Sequence, residues 1–117
     1  MKRATLLLAI LLLGAAPAKR ETADLLITGG DHVFDSTEQL PDRTKIVWDS
    51  FNQAHANAPK CPWRPLLGNH DVFGWGKPEV DEKTAGYGKA LALDQLKLAR
   101  PYYSFDAGGW KFILLDS

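Results

Sequence analysis

Two short apolar runs, Leu25-Leu26-Ile27 and Leu66-Leu67, are each followed within two residues by glycine and then by side chains able to bind a metal or move a proton. The first continues as Thr28-Gly29-Gly30-Asp31-His32 and the second as Gly68-Asn69-His70-Asp71. A buried strand that stops at glycine delivers its next residues to the end of a sheet, where α/β domains place their chemistry. Leu25, Leu26 and Ile27 do not alternate with polar residues, so residues 24–28 are expected to form a short strand buried on both faces. Residues 63–67 give the second strand. Between them, Leu40, Val47, Phe51 and Ala54, flanked by Ile46 and Trp48, share one helical face, and Pro41 suits a first helical turn.

Strand, helix, strand is the βαβ order, and the stretch from Gly30 to Trp63 is long enough for the crossover that parallel strands require. Neighbouring parallel strands end on the same edge of a sheet. Asp31 and Asn69, distant in sequence, are therefore expected to lie close in space.

The rest of the chain is expected to follow as a loop, a helix and a hairpin. Val72-Phe73-Gly74-Trp75-Gly76-Lys77-Pro78 excludes regular structure, yet its aromatics point to a packed loop beside the site. Residues 81–98 carry a helical pattern in their second half, with Gly86 and Gly88 weakening the first. Two β-rich runs around Ala107-Gly108-Gly109 form the clearest hairpin, and the second, from Trp110 to Asp116, becomes continuously apolar as if it ended in the core.

Lys plus Arg equals Asp plus Glu at 14 each, and no basic stripe with interleaved aromatics occurs, so nucleic acid is not indicated as a partner. Cys61 is the only cysteine, which excludes an intrachain disulfide. Met1-Lys2-Arg3, an apolar run from Ala4 to Leu13 and the small-residue end Ala16-Pro17-Ala18 have the order of a secretory signal, with cleavage expected after Ala18. The apolar run is shorter than the roughly 20 residues that span a bilayer. An exported product, periplasmic or extracellular and without a stable membrane anchor, is the expectation, with residues 19–117 as one domain of undetermined oligomeric state.

The Asp31 carboxylate has two oxygens, enough to bridge two cations, and Asn69 offers a neutral amide oxygen suited to a hard divalent metal. His70 can stabilise or protonate a departing oxygen near neutral pH, and Asp71 could hold that imidazole in one tautomer. His32 is expected to line the loop without a direct role, Asp35 to order the loop before the helix, and His55 to lie on the helix without a partner.

Gly30-Asp31 with Gly68-Asn69-His70-Asp71 resembles the calcineurin-like metallophosphoesterase superfamily, whose pattern runs D-x-H, G-D, G-N-H-[DE] and then two later histidine motifs. Tyr102-Tyr103-Ser104-Phe105-Asp106 and Phe112-Ile113-Leu114-Leu115-Asp116-Ser117 look like the hairpin that follows the G-N-H-D loop in many secreted or periplasmic members. The resemblance implies an α/β fold, a partial calcineurin-like phosphoesterase sandwich in which the βαβ unit is followed by a helix and a β-hairpin. It also implies a metal-dependent phosphoric ester hydrolase acting on a phosphate ester, with two divalent ions that could be Fe, Mn, Zn or Mg.

By position, Asp31 matches the bridging carboxylate, Asn69 a ligand of the second metal, His70 the histidine that handles the phosphoryl oxygen, and Asp71 its acidic partner. The D-x-H motif and the two later histidine motifs are absent from this sequence. The expectation is a fragment or truncated member with little or no hydrolytic activity by itself. The alternatives are a non-catalytic binding or interaction module that retains the scaffold with an incomplete metal site, and a stretch that does not fold alone.

Overall fold

The computed structural model describes residues 23–58 and 60–116. They form a small mixed α/β domain of two short sheets and two helices, in the order β1 (Leu26–Thr28), α1 (Pro41–Ala56), β2 (Trp63–Pro65), α2 (Ala90–Gln95), β3 (Tyr103–Ala107) and β4 (Trp110–Leu114). The expected signal segment, residues 1–18, lies outside the described residues. Among the described residues no helix is long and apolar enough to cross a membrane.

The expected βαβ unit is present. β1 and β2 pair in parallel, with Leu26 opposite Trp63 and Thr28 opposite Pro65, and slanted hydrogen bonds run from Leu26 N–H to Pro62 C=O and from Leu66 N–H to Thr28 C=O, both 2.9 Å. β1 is shorter than expected and only half-buried, not covered on both faces. Its apolar run has a sheet neighbour on one side only, so part of each side chain stays in contact with solvent.

Pro41 opens α1, where a missing N–H is harmless. The buried stripe of this helix matches the expected one in part, at Val47, Trp48 and Phe51. Thr44 and Trp48 are fully buried at its centre, while Ile46 is 52% exposed and Ala54 is exposed. Trp48 sets the rotation, because its indole fills the core with Val33, Ala92 and Leu96, and Phe51, Trp63, Leu67 and Leu91 pack around them. α2 occupies the second half of residues 81–98, as expected, but has only 6 residues. It supplies Ala92 directly to the core, and Leu96 follows at its C-cap.

β3 and β4 form the expected antiparallel hairpin, with Phe105 opposite Phe112 and Ala107 opposite Trp110. Period-2 alternation puts Tyr103, Phe105, Phe112 and Leu114 on one face, with the Phe105 and Phe112 rings stacked 5.0 Å apart. The apolar end of β4 does not enter the core as a whole. Leu114 is buried, but Ile113 and Leu115 are 68% and 75% exposed, because successive side chains of a strand take opposite faces.

The hairpin does not join the β1–β2 sheet. It rests against it through the Tyr103 hydroxyl, which donates to the Pro65 carbonyl at 2.7 Å, and through the Arg64 guanidinium, 5.0 Å from the centre of the Phe105 ring. Beyond β4, Asp116 pairs with Lys89 at 2.6 Å, tying the end of the hairpin to the residue before α2.

Candidate functional site

The two glycine-ended loops meet at the C-terminal edge of β1 and β2, as parallel pairing demands. Gly30 has φ +96, and a Cβ there would stand 2.5 Å from Gly68 N and 2.6 Å from Gly68 Cα. A Cβ on Gly68 would in turn overlap the Asp31 backbone nitrogen and carboxylate. Each glycine is thus required by the other loop, not only by its own turn. Asp31 follows Gly30 in the left-handed region, φ 52, a conformation that Asp tolerates better than most residues. This turn swings the Asp31 carboxylate over the neighbouring loop, where Oδ1 accepts the His70 N–H at 3.1 Å.

Asn69, His70 and Asp71 form a single 3-10 turn after β2. Its carbonyls are bound to the first loop: Ser36 N–H donates to His70 C=O at 2.8 Å and the Thr37 hydroxyl to Asn69 C=O at 2.8 Å. Asp31 and Asn69 are both exposed, whereas Asp71 is fully buried. The three residues expected at the metal and phosphate, Asp31, Asn69 and His70, are therefore brought together on one edge.

Asp71 is elsewhere. Its carboxylate turns inward and pairs with His32, not with His70: Asp71 Oδ2 lies 3.0 Å from His32 Nδ1 and accepts Gly68 N–H at 2.9 Å. Oδ1 accepts the backbone N–H groups of His32 and Val33 at 2.8 and 3.3 Å. Burial alone would push this carboxyl up, but the His32 hydrogen bond, the Gly68 N–H, the His32 charge and the Val33 N–H together hold it below the ordinary carboxylate range. The physical reason for the choice of partner is reach. A 3-10 turn places consecutive side chains about 120° apart, so when Asp71 faces inward its sequence neighbour His70 cannot share that direction.

His70 keeps a different environment. Its ring lies beside Phe34, with centroids 6.4 Å apart, and its Nδ1 is buried with no hydrogen-bond partner among the described residues. Asp35, expected to order the loop before the helix, does so. Its Oδ1 accepts the Thr37 and Glu38 N–H groups at 2.8 and 3.2 Å, and its Oδ2 accepts from Gln39 at 2.9 Å. Slight burial pushes the Asp35 carboxyl up, but the Gln39, Glu38 and Thr37 hydrogen bonds and the His70 charge outweigh it, and the group lies below its usual value.

His32 and His55 have more partners than the sequence indicated. His32 contacts Phe51 and Trp63 edge-on, with centroids 5.2 and 5.8 Å away. His55 lies against Trp63 at 4.0 Å and stacks with Phe51 at 5.9 Å. The aromatic residues at i and i+4 of α1, Phe51 and His55, were the available signal, since that spacing stacks side chains on one helix face. Phe73 is buried at 1% exposure and Trp75 is 60% exposed, so only the first makes the loop after the site a packed one. A cavity of about 130 Å³ lined by Thr44, Trp48, Phe73 and Leu91 shares no residue with the two site loops.

For a cation, the site offers one carboxylate and one amide oxygen, hard donors of the right kind. Among the described residues no cluster of three or more His, Cys, Asp or Glu side chains is arranged to hold a metal ion. Among the described residues, Asp31 and Asn69 supply oxygen donors that fit one side of a hard cation. Compared with family models, with curated proteins and with solved structures, the chain gives no match.

Proposed function

We propose that this chain carries part of a metal-dependent phosphoric ester hydrolase of the calcineurin-like type, with Asp31 and Asn69 as metal ligands and His70 as the group that meets the phosphoryl oxygen. The observation that supports the reading is the seating of Gly30-Asp31 against Gly68-Asn69-His70 at the ends of two parallel strands. Asp31 and Asn69 would hold a divalent ion, which would supply Lewis acidity toward water and a phosphate ester. This chain's own contribution is positional. The Asp31 turn presents a carboxylate whose Oδ1 is anchored by the His70 N–H, and the same bond fixes the backbone from which the His70 ring projects. Export through residues 1–18, a partial phosphoesterase sandwich and a phosphate ester substrate belong to the same proposal.

A second reading, a binding or interaction module that kept the scaffold without catalysis, is favoured by one observation. The Asp71 carboxylate is committed to His32 and to backbone N–H groups, so it does not serve as the partner of His70 that the resemblance implies.

Backbone NMR of the full chain titrated with Mn2+ tests both. Selective broadening of the Asp31, Asn69 and His70 amides, abolished by Asp31→Ala, is expected. Broadening that is absent or centred elsewhere overturns the metal site. Inorganic phosphate added to the Zn2+-loaded chain perturbs the His70 ring signals under the hydrolase reading and leaves them unchanged under the module reading.

A further inference from the structure

We infer that His32 is a positioning residue of this site, whose Nδ1 proton fixes the one carboxylate, Asp71, to which both loops are tied. The direction of the hydrogen bonds carries the assignment. The Trp63 indole N–H can only donate, and it lies 3.0 Å from Thr28 Oγ1. Thr28 Oγ1 also lies 2.7 Å from His32 Nε2, so the ring is held between Thr28 and Asp71. The ionised Asp71 carboxylate can only accept, so His32 Nδ1 bears a proton and donates to Asp71 Oδ2 at 3.0 Å.

Asp71 is then saturated. A carboxylate offers about four lone-pair directions, and here they receive the His32 ring, the His32 and Val33 N–H groups of the first loop, and the Gly68 N–H of the second. Gly68 is the residue on which the Asp31 carboxylate sits, and two positions on is the N–H that binds Asp31 Oδ1. Rotation of Asp71 would release Gly68 and with it the seat of Asp31. The His32 side chain is 2% exposed and clamped edge-on by Phe51 and Trp63, so its ring has no other place to go.

Thr28, His32 and Asp71 have the order of a nucleophile, base and acid, but this arrangement serves geometry. The ring is sealed from solvent, and the Thr28 oxygen already accepts from Trp63. Only the functional weight of this role rests on the proposed reading of Asp31, Asn69 and His70 as working residues. The test is therefore made without metal, so that failure of the metal site in the Mn2+ titration and failure of the positioning role are separate results.

In the full wild-type chain, the 15N shifts of the His32 ring are expected to show a proton on Nδ1. A bare Nδ1 overturns the assignment, and this readout requires no variant to fold. Amide hydrogen exchange then measures the loops. His32→Ala is expected to speed exchange at Gly68 and His70 about tenfold, the equivalent of about 1.4 kcal/mol of local opening, with α1 amides unchanged. His32→Asn, whose side-chain amide reaches the Nδ1 position, restores protection, whereas His32→Gln, which mimics Nε2, does not. Unchanged exchange at Gly68 and His70 in His32→Ala, an equal rise throughout α1, or equal rescue by Gln and Asn overturns the role.

Discussion

The loop pair after β1 and β2 and the β3–β4 hairpin both turn on glycines in the left-handed region, Gly30 at φ 96 and Gly109 at φ 83, yet they are held in opposite ways. A Cβ on Gly30 would collide with the backbone of Gly68, while a Cβ on Gly109 would meet nothing within 4 Å. The hairpin is a local structure, closed by its own backbone ladder and leaving Trp110 and Ile113 exposed. The loop pair is non-local. Its strands are three residues each, too short to be stable by pairing alone, and its geometry comes from a buried carboxylate that gathers donors from both sides. Backbone pairing suffices where nothing must be aimed. Where two loops must present Asp31, Asn69 and His70 together, side chains far more sensitive to substitution do the holding.

The comparison breaks most severely at Asp71. Asp71→Ala leaves His32 and the Gly68, His32 and Val33 N–H groups without their acceptor, and urea denaturation is expected to show a loss of about 3–5 kcal/mol. Because the Asp71 carboxyl is lowered in the folded state, its contribution is complete above the unfolded carboxylate value of about 3.9 and is lost as the pH falls through the lower folded value. A stability profile recorded downward from pH 6 should therefore fall more gently in a folded Asp71→Asn variant than in the wild type.

The glycines come next. Gly30→Ala combines an unfavourable φ with a collision against backbone that has little room to yield, and about 3 kcal/mol of destabilisation is expected. Gly109→Ala meets only the conformational cost, about 1 kcal/mol. Equal losses at the two positions would remove the distinction between the regions.

At the junction between them, Tyr103→Phe removes the hydrogen bond to the Pro65 carbonyl and is expected to cost about 1 kcal/mol by urea denaturation. Burial pushes the Tyr103 hydroxyl up, with the Arg64 charge offsetting part of the effect. A raised value means that the folded state holds this proton more tightly. The contribution is present below the unfolded value of about 10 and is lost as the pH rises through the folded value. The smallest effect belongs to the core. Thr44 carries a buried hydroxyl with no hydrogen-bond partner among the described residues, so Thr44→Val is expected to be neutral or stabilising by up to about 1 kcal/mol in the same assay.

The local parts of this architecture were legible in the sequence for a physical reason: turns and periodicities are written in neighbouring residues. Pro41 marked the start of α1, Ala107-Gly108-Gly109 marked the hairpin, and the two apolar runs ending at glycine marked the parallel pair with Asp31 beside the Asn69 loop. What depended on rotation or on distant partners was not legible. The buried stripe of α1 was legible at Val47, Trp48 and Phe51 but not at Thr44, a polar residue fully buried beside Trp48. The partner of Asp71 was misassigned to the adjacent His70 because sequence proximity says nothing of direction within a 3-10 turn, and His32 is thirty-nine positions away.

The link between the two loops is tested most directly by a double-mutant cycle of His32→Ala and Asp71→Ala, with stability measured by urea denaturation at neutral pH. A buried pair that shares one hydrogen bond and orders the same backbone groups predicts a coupling of about 2–3 kcal/mol. Losses that add to within about 0.5 kcal/mol would show the two residues to be independent and would contradict the account.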